Sequence, residues 1–425
     1  MNSQSIQVLQ FGTGNFLRGF IEPLIEELNE QGELLQVCLV QSTDGSTLQG
    51  LRAQDYAYSV YVAGIDQGKP IEQFQKITCI QDGLQLPYDY EKFLSLALSP
   101  ELKYIISNVT EAGLKWENEG NKDQNASSFP GRLTQWLHTR FEQAPELETI
   151  LLPCELIPNN GKFLKSLIEQ HAQAWKIDPQ FLEWVNKRCH FHSTLVDRIV
   201  PGFPKLLEGT VPPYTVQVEP YLFWGIEGSG NDLEKLPFRK CKGVVVTDAL
   251  LSYTRRKISI LNGLHTYLAA FGILNQIKTV QEYVQDPDRL HALNLLVEEE
   301  IFPFLDQPLD TLRDYTSAIF DRFKNPYMAH SLQDISFQSI SKFKSRLAPI
   351  CTFFLEKKGI LPPRISDGLV ALLLCHLRYS ELMRDTEETK HYFKQLQDGD
   401  ASELDKVIQA SQELFGFLNI SCKLT

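Results

Sequence analysis

The feature that most narrows what this chain can fold into lies at its start. Val8-Leu9-Gln10-Phe11 is a short apolar-rich run that leads straight into Gly12-Thr13-Gly14-Asn15-Phe16-Leu17-Arg18-Gly19. A strand that ends in a glycine turn and restarts as a helix is the arrangement that cradles the pyrophosphate of a dinucleotide. Gly12 permits the tight turn and Gly14 lets backbone approach the phosphates. The helix N-terminus then supplies free N–H groups and a favourable dipole. Gly12, Thr13, Gly14, Asn15 and Phe16 are therefore the first cofactor-binding candidates. The spacing is not GxGxxG, because Leu17 stands where the third glycine would be and Gly19 follows two later. A glycine-rich turn in another kind of α/β protein is the competing reading.

The first third of the chain repeats this alternation. Residues 35–40, 58–62, 104–107 and 150–153 read as buried strands, and residues 16–30, 91–98 and 162–175 as helices. Strands alternating with helices predict an α/β fold with a parallel sheet. From about residue 250 helical periods dominate, as in 290–300 and 366–378. The expected organisation is a Rossmann-like dinucleotide-binding domain over 1–245 and a mostly α-helical substrate and catalytic domain over 246–425. Residues 201–237, rich in proline and glycine, are the expected irregular joining region, and residues 243–246 a last strand.

At 425 residues the chain is long enough for two or three domains. Its formal charge of −12 argues against a nucleic-acid partner. No basic, apolar leader opens the sequence, and its most apolar stretch, 369–377, is too short to cross a bilayer. The eight cysteines are scattered without a CxxC pair, as expected of reduced thiols in a cytoplasmic protein. Cys189-His190-Phe191-His192 fits no standard zinc spacing, so no metal is expected.

The nearest carboxylate after the second strand is Asp44, a candidate for the ribose hydroxyls or simply a turn residue before Gly45. The segment has no arginine until Arg52, which favours NAD over NADP. Asn108 and Thr110 follow a strand end, where α/β enzymes place ligand contacts; Glu111 lies in the same block.

The most informative segment is Arg256-Lys257-Ile258-Ser259-Ile260-Leu261-Asn262-Gly263-Leu264-His265-Thr266. In an α-helix Asn262 lies about 140° from Lys257 and His265 about 80° from it, all on one broad face. A buried lysine beside Arg256 has two reasons for a lowered pKa, desolvation and a like charge. A neutral lysine takes a proton from a hydroxyl, and Asn262 donates to a developing alkoxide or a ketone oxygen. His265 orients that oxygen or the lysine. The plainer reading is a snorkelling lysine, a capping asparagine and a satisfied buried histidine.

Together these two segments resemble the mannitol dehydrogenase family of long-chain polyol dehydrogenases. Lys257, Asn262, Gly263 and His265 match its Lys-x4-Asn-Gly-x-His pattern. Further blocks agree in order: 107–113, 153–161, 193–200, 322–327 and 341–347. The wording of Thr110-Glu111-Ala112-Gly113 and Pro153-Cys154-Glu155-Leu156-Ile157 looks most like the branch that interconverts tagaturonate and altronate with NAD(H). The resemblance implies that Lys257 is the general acid/base, with Asn262 and His265 beside the reacting oxygen.

One departure stands out. Polyol-oxidising members carry an Asp-Asn pair after the Cys of the second block, and that asparagine is a second oxyanion donor; here Glu155-Leu156 takes its place. Asn160 is the substitute candidate, or a turn residue before Gly161. A uronate also needs a cation, preferably a bidentate arginine. Arg322 and Lys342 are the first candidates, with Lys344 and Arg346 in the same blocks. Arg198 beside Asp197 reads as a buried structural pair. The rival readings are fructuronate reductase, a mannitol 2-dehydrogenase-like enzyme on neutral polyols, an NAD-dependent epimerase, and a non-catalytic sensor. Monomer and homodimer are both open.

Overall fold

A computed structural model describes residues 5–43, 45–110, 113–230 and 232–417. The chain forms two compact units, one of residues 1–63 with 71–250, the other of residues 64–70 with 251–425.

The first unit is built on a six-stranded parallel sheet: β1 (Val8–Phe11), β2 (Val37–Gln41), β3 (Ile80–Gln85), β4 (Tyr104–Ser107), β5 (Thr149–Pro153) and β6 (Cys189–Phe191). Its spatial order is β3-β2-β1-β4-β5-β6. Val8 of β1 sits opposite Val37 of β2 and Tyr104 of β4. The chain winds one way from β1 and returns to its other side at β4, so the strand order reverses between β1 and β4, where this kind of sheet opens a ligand crevice. Successive residues feed opposite faces: Val8, Leu39, Ile106 and Leu152 enter one core, and Leu9, Phe11, Val40 and Leu151 the other. Burial on both faces explains why these strands read as near-continuous apolar runs.

The helix Asn15–Glu30 covers one face with Leu17, Phe20, Ile21, Leu24 and Leu28 at helical spacing. It stops at Gly32, whose φ of 96° a side chain would resist.

Residues 58–62 do form a strand, but it runs on as Tyr58–Asp66 and belongs to a separate sheet with Lys69–Ile77 and Val216–Val218. The neighbour of β2 is instead β3, Ile80-Gln81-Asp82-Gly83-Leu84-Gln85, whose polar residues hide its strand character. As an edge strand it pairs on one side only, which tolerates that composition. The expected irregular stretch also holds order: Phe223–Glu227 is the centre of a third sheet, parallel to Val244–Thr247 and antiparallel to Thr194–Asp197.

The second unit is helical from Leu250–Lys257 to Glu403–Phe415. Its centre is the helix Pro363–Arg378 against Gly263–Leu274, where Gly368 lets the Tyr267 ring approach: an added Cβ would lie 2.6 Å from the ring. Among the described residues no helix is long and apolar enough to cross a membrane.

Gly161 shows how tightly the strand ends are packed. A Cβ there would lie 2.6 Å from the carbonyl carbon of His192 and the amide nitrogen of Ser193, both backbone atoms that cannot swing away. Gly161→Ala is expected to lower stability by about 2 kcal/mol, read as a lower urea midpoint at unchanged slope.

Candidate active site

The glycine turn after β1 is shaped for an anion. Gly12 has φ 118°, and a Cβ there would lie 3.2 Å from the carbonyl oxygen of Asn108. Gly14 is the N-cap of Asn15–Glu30. No side chain caps it, no acidic residue occupies the first turn, and nothing lies within 4 Å of its Cβ position. The helix therefore offers uncapped N–H groups and its positive dipole end to open space. These residues fit a dinucleotide pyrophosphate.

Side chains hold this turn from three sides. Gln10 Nε2 donates to the carbonyl of Gly12 at 3.0 Å and to Glu22 Oε1 at 2.8 Å. Arg18 donates to the carbonyls of Thr13 (3.2 Å) and Tyr214 (2.8 Å) and to Asn15 Oδ1 (2.7 Å). Thr13 Oγ1 donates to Gln41 Oε1 at 3.2 Å. Asn15 and Thr13 thus position the turn through their side chains. Phe16 stacks on Phe20, with centroids 5.0 Å apart, and packs against the core.

Gln41, the last residue of β2, escaped the sequence reading because glutamine carries no motif signal. Its Nε2 donates to the carbonyls of Thr43 (3.1 Å) and Gly45 (2.8 Å), and its Oε1 accepts from the amide of Leu48 (3.0 Å). It organises the loop that contains Asp44; Asp44 itself lies outside the described residues, as does Glu111. Arg52 donates to the Tyr56 hydroxyl (3.1 Å) and to the carbonyl of Gly83 (2.8 Å).

At the ends of β4 and β5 the chain ties itself together. Asn108 Nδ2 donates to the carbonyl of Cys154 at 2.8 Å, and Glu155 Oε1 accepts from the amide of Val109 at 3.0 Å. Thr110 follows, exposed, its carbonyl accepting from the amide of Gly113 at 2.7 Å.

Asn160 corrects the sequence expectation of an oxyanion donor. It is fully buried; its Nδ2 donates to the carbonyls of Pro153 (2.9 Å), Glu155 (3.0 Å) and Thr194 (3.2 Å), while its Oδ1 accepts from the amide of Thr194 (2.8 Å). Two amide hydrogens facing three carbonyls leave none for a ligand, so Asn160 is a backbone clamp. Arg198 likewise donates to backbone, the carbonyls of Glu219 (3.0 Å) and Gly19 (2.8 Å).

In the second unit, Lys257 ends the helix Leu250–Lys257 and Gly263 begins the helix Gly263–Leu274. The five residues between them, Ile258–Asn262, form a π-turn, with the amide of Gly263 donating to the carbonyl of Ile258. This revises the helical-wheel angles. A turn closed by i→i+5 bonds holds more residues than an α-turn, so Asn262 comes round closer to Lys257 than the roughly 140° of an α-helix. Leu347 packs where a side chain on Gly263 would go, 3.0 Å from its Cβ position.

His265 is buried, and its Nε2 has no hydrogen-bond partner. The ring lies 4.7 Å from that of Phe323 and 4.7 Å, nearly perpendicular, from that of His330. Burial first, then His330, Arg322, Arg346 and Lys342 around it, hold its pKa well below the usual imidazole value. His330 is lowered in the same way by burial, then by Arg322. Both rings are therefore neutral at neutral pH.

Arg346 Nη1 donates to the carbonyl of Asn262 (3.2 Å) and to Thr266 Oγ1 (3.0 Å), pinning the end of the π-turn. Lys342 Nζ donates to the carbonyl of Ile335 at 2.9 Å. Arg322 is buried near the end of the helix Leu309–Phe323. His330 was not legible in the sequence, because it reaches His265 from an isolated position before the short helix Leu332–Ile335.

Cys189, His190 and His192 do not converge: His192 Nδ1 bonds to the carbonyl of Glu227, while His190 faces Glu148 and Lys235. Among the described residues no group of three or more His, Cys, Asp or Glu is arranged to hold a metal ion.

A glycine turn at the end of a parallel sheet, leading into a helix N-terminus, is the mark of a dinucleotide-binding fold, and the comparisons with known proteins agree. Residues 6–239 match the Mannitol dehydrogenase Rossmann domain and residues 249–413 the Mannitol dehydrogenase C-terminal domain. Altronate oxidoreductase of Bacillus subtilis (strain 168) is 35% identical, over 99% of this chain and 90% of that protein. That of Halalkalibacterium halodurans is also 35% identical, over 86% of this chain and 74% of that protein. D-sorbitol dehydrogenase in a substrate-free structure has the same fold, with a TM-score of 0.78 at 21% identity, covering 97% of this chain and 94% of that one. Pseudomonas fluorescens mannitol 2-dehydrogenase follows at a TM-score of 0.70 and 21% identity, covering 98% and 88%. The chain belongs to the mannitol dehydrogenase family. It is an oxidoreductase of CH–OH groups that works with a nicotinamide dinucleotide.

Two outcomes test this geometry. Gly12→Ala places a side chain at φ 118° and 3.2 Å from a backbone oxygen; NADH affinity should fall about tenfold or more, read by titration of NADH fluorescence. For His265, a lowered folded-state pKa means that stability is present above the unfolded pKa of about 6.5 and is lost as pH falls. Its ring protons should therefore hold their neutral-imidazole NMR shifts from pH 8 to pH 6, whereas an ordinary titration in that window would overturn the assignment.

Proposed function

We propose that this chain interconverts tagaturonate and altronate with NAD(H), using Lys257 as the acid/base. The observation that carries the reading is the near-full-length likeness to altronate oxidoreductases in a chain that sets Lys257, Asn262 and His265 around one π-turn.

The nicotinamide, when bound, supplies or receives the hydride. Gly12, Thr13, Gly14 and Asn15 form the cradle for the pyrophosphate, and Asn108 and Thr110 extend it past the end of β4. Asp44 is the candidate for the ribose hydroxyls. NAD suits the turn after β2 better than NADP, since Arg52, the first arginine there, is engaged with Tyr56 and Gly83.

In the reducing direction the Lys257 ammonium delivers a proton to the ketone oxygen; in oxidation the neutral amine takes it back. The Asn262 amide donates to the same oxygen and favours the charge that develops on it. His265, kept neutral, gives or takes a hydrogen bond without adding charge. The cations near His265, with Arg322 and Lys342 foremost, suit a substrate that carries a carboxylate. The seven described cysteines are all free and buried, which suits a reducing cytoplasm.

The test is NADH consumption with tagaturonate, fructuronate and fructose, each repeated with Lys257→Ala. Tagaturonate should be turned over fastest, and Lys257→Ala should lower kcat at least about 100-fold while NADH still binds. Preference for fructuronate or fructose would move the substrate. No turnover of any of the three would sink the catalytic reading.

A further inference from the structure

Glu155 is a buried carboxylate that the reaction above does not use. It follows β5 by two residues and is 3% exposed, while the next residue, Leu156, is 69% exposed. One oxygen accepts from the amide of Val109, in the loop that leaves β4, at 3.0 Å. The other oxygen, Oε2, is buried without a hydrogen-bond partner.

The tie is reciprocal. Asn108, next to Val109, donates its side-chain amide back to the carbonyl of Cys154, next to Glu155. Two crossed side-chain bonds thus lock the loop after β4 to the segment after β5. The far side of that loop carries the carbonyl of Asn108, which lies 3.2 Å from the Cβ position of Gly12. The amide of Asn108 also donates to the carbonyl of Phe11, next to Gly12, at 3.1 Å, so Glu155, Val109, Asn108 and Phe11 form one chain of contacts from the end of β5 to the phosphate turn, across the point where the strand order reverses.

We infer that Glu155 is a positioning residue for the dinucleotide, holding the loop after β4 against the glycine turn by the reach of its side chain and not by its charge. This rests on the dinucleotide reading of the turn. A residue placed there for charge would face a cation; what bears on Glu155 is burial and the Val109 amide, while its titratable neighbour is the buried thiol of Cys154. Burial raises its carboxyl pKa, in keeping with a group whose length matters more than its ionisation.

Two substitutions separate reach from charge. Glu155→Gln keeps the length and the acceptor for Val109 and removes the charge. Glu155→Asp keeps the charge and draws the acceptor back by one methylene. Isothermal titration of the full chain with NADH should give Glu155→Gln a Kd within about threefold of the wild type, and Glu155→Asp a Kd at least about tenfold weaker. The reverse order would overturn the inference in favour of a charge role. Wild-type affinity in Glu155→Asp with only a lower melting temperature would overturn it in favour of a purely structural role. A wild-type chain that binds no NADH would instead bring down the dinucleotide reading, and this inference with it.

Discussion

A parallel sheet stops supplying hydrogen bonds where its strands end, and the first unit is organised around that shortfall. Beyond Phe11, Gln41, Ser107 and Pro153 the chain must turn away, and each buried carbonyl or amide left behind costs roughly 1–3 kcal/mol unless something pairs with it. The pairing comes from a few polar side chains sent inward: Gln10 and Arg18 at the first turn, Gln41 at the second, Asn108 and Glu155 between the third and fourth, and Asn160 beneath them. Rigidity at the cofactor edge follows, because loops satisfied by fixed side chains have few other conformations to visit. The helix N-terminus after Gly14 is the exception, with no side-chain cap. Its N–H groups are left without a partner from any side chain.

The second unit solves a different problem with the same economy. Two imidazoles lie among several cations there. Burial and nearby Arg322 and Lys342 keep both His265 and His330 neutral, with Arg346 adding to the effect on His265, while permanent charge stays on the longer side chains. The π-turn does the geometric part, and Arg346 secures it by bonding to the carbonyl of Asn262.

Much of this was legible in the residues. The strand–turn–helix start, the run of parallel strands and the helical second half follow from periodicity and glycine placement. What stayed hidden depends on contacts between distant positions. Ile80–Gln85 is a sheet edge that looks polar, and Tyr58–Asp66 joins a different sheet because Val60 pairs with Val216. Asn160 looked like a donor because its type and neighbours are those of a donor; only its three carbonyl partners reveal a clamp. His330 is one histidine in an ordinary loop until the fold brings it to His265. The π-turn itself leaves no residue signature, since Ile-Ser-Ile-Leu-Asn suits an α-helix equally well.

That turn also sets what kind of change the motif can absorb. The offset between Lys257 and Asn262 is fixed by the size of a hydrogen-bonded ring, not by the side chains within it. Ile258, Ser259, Ile260 and Leu261 are exchangeable in principle, so long as the replacements pack. Their number is not: a turn closed by i→i+5 bonds holds one residue more than an α-turn, so removing one would restore α-helical winding and change the spacing between Lys257 and Asn262. The spacer is a ruler whose length is set by the turn even where its letters are free.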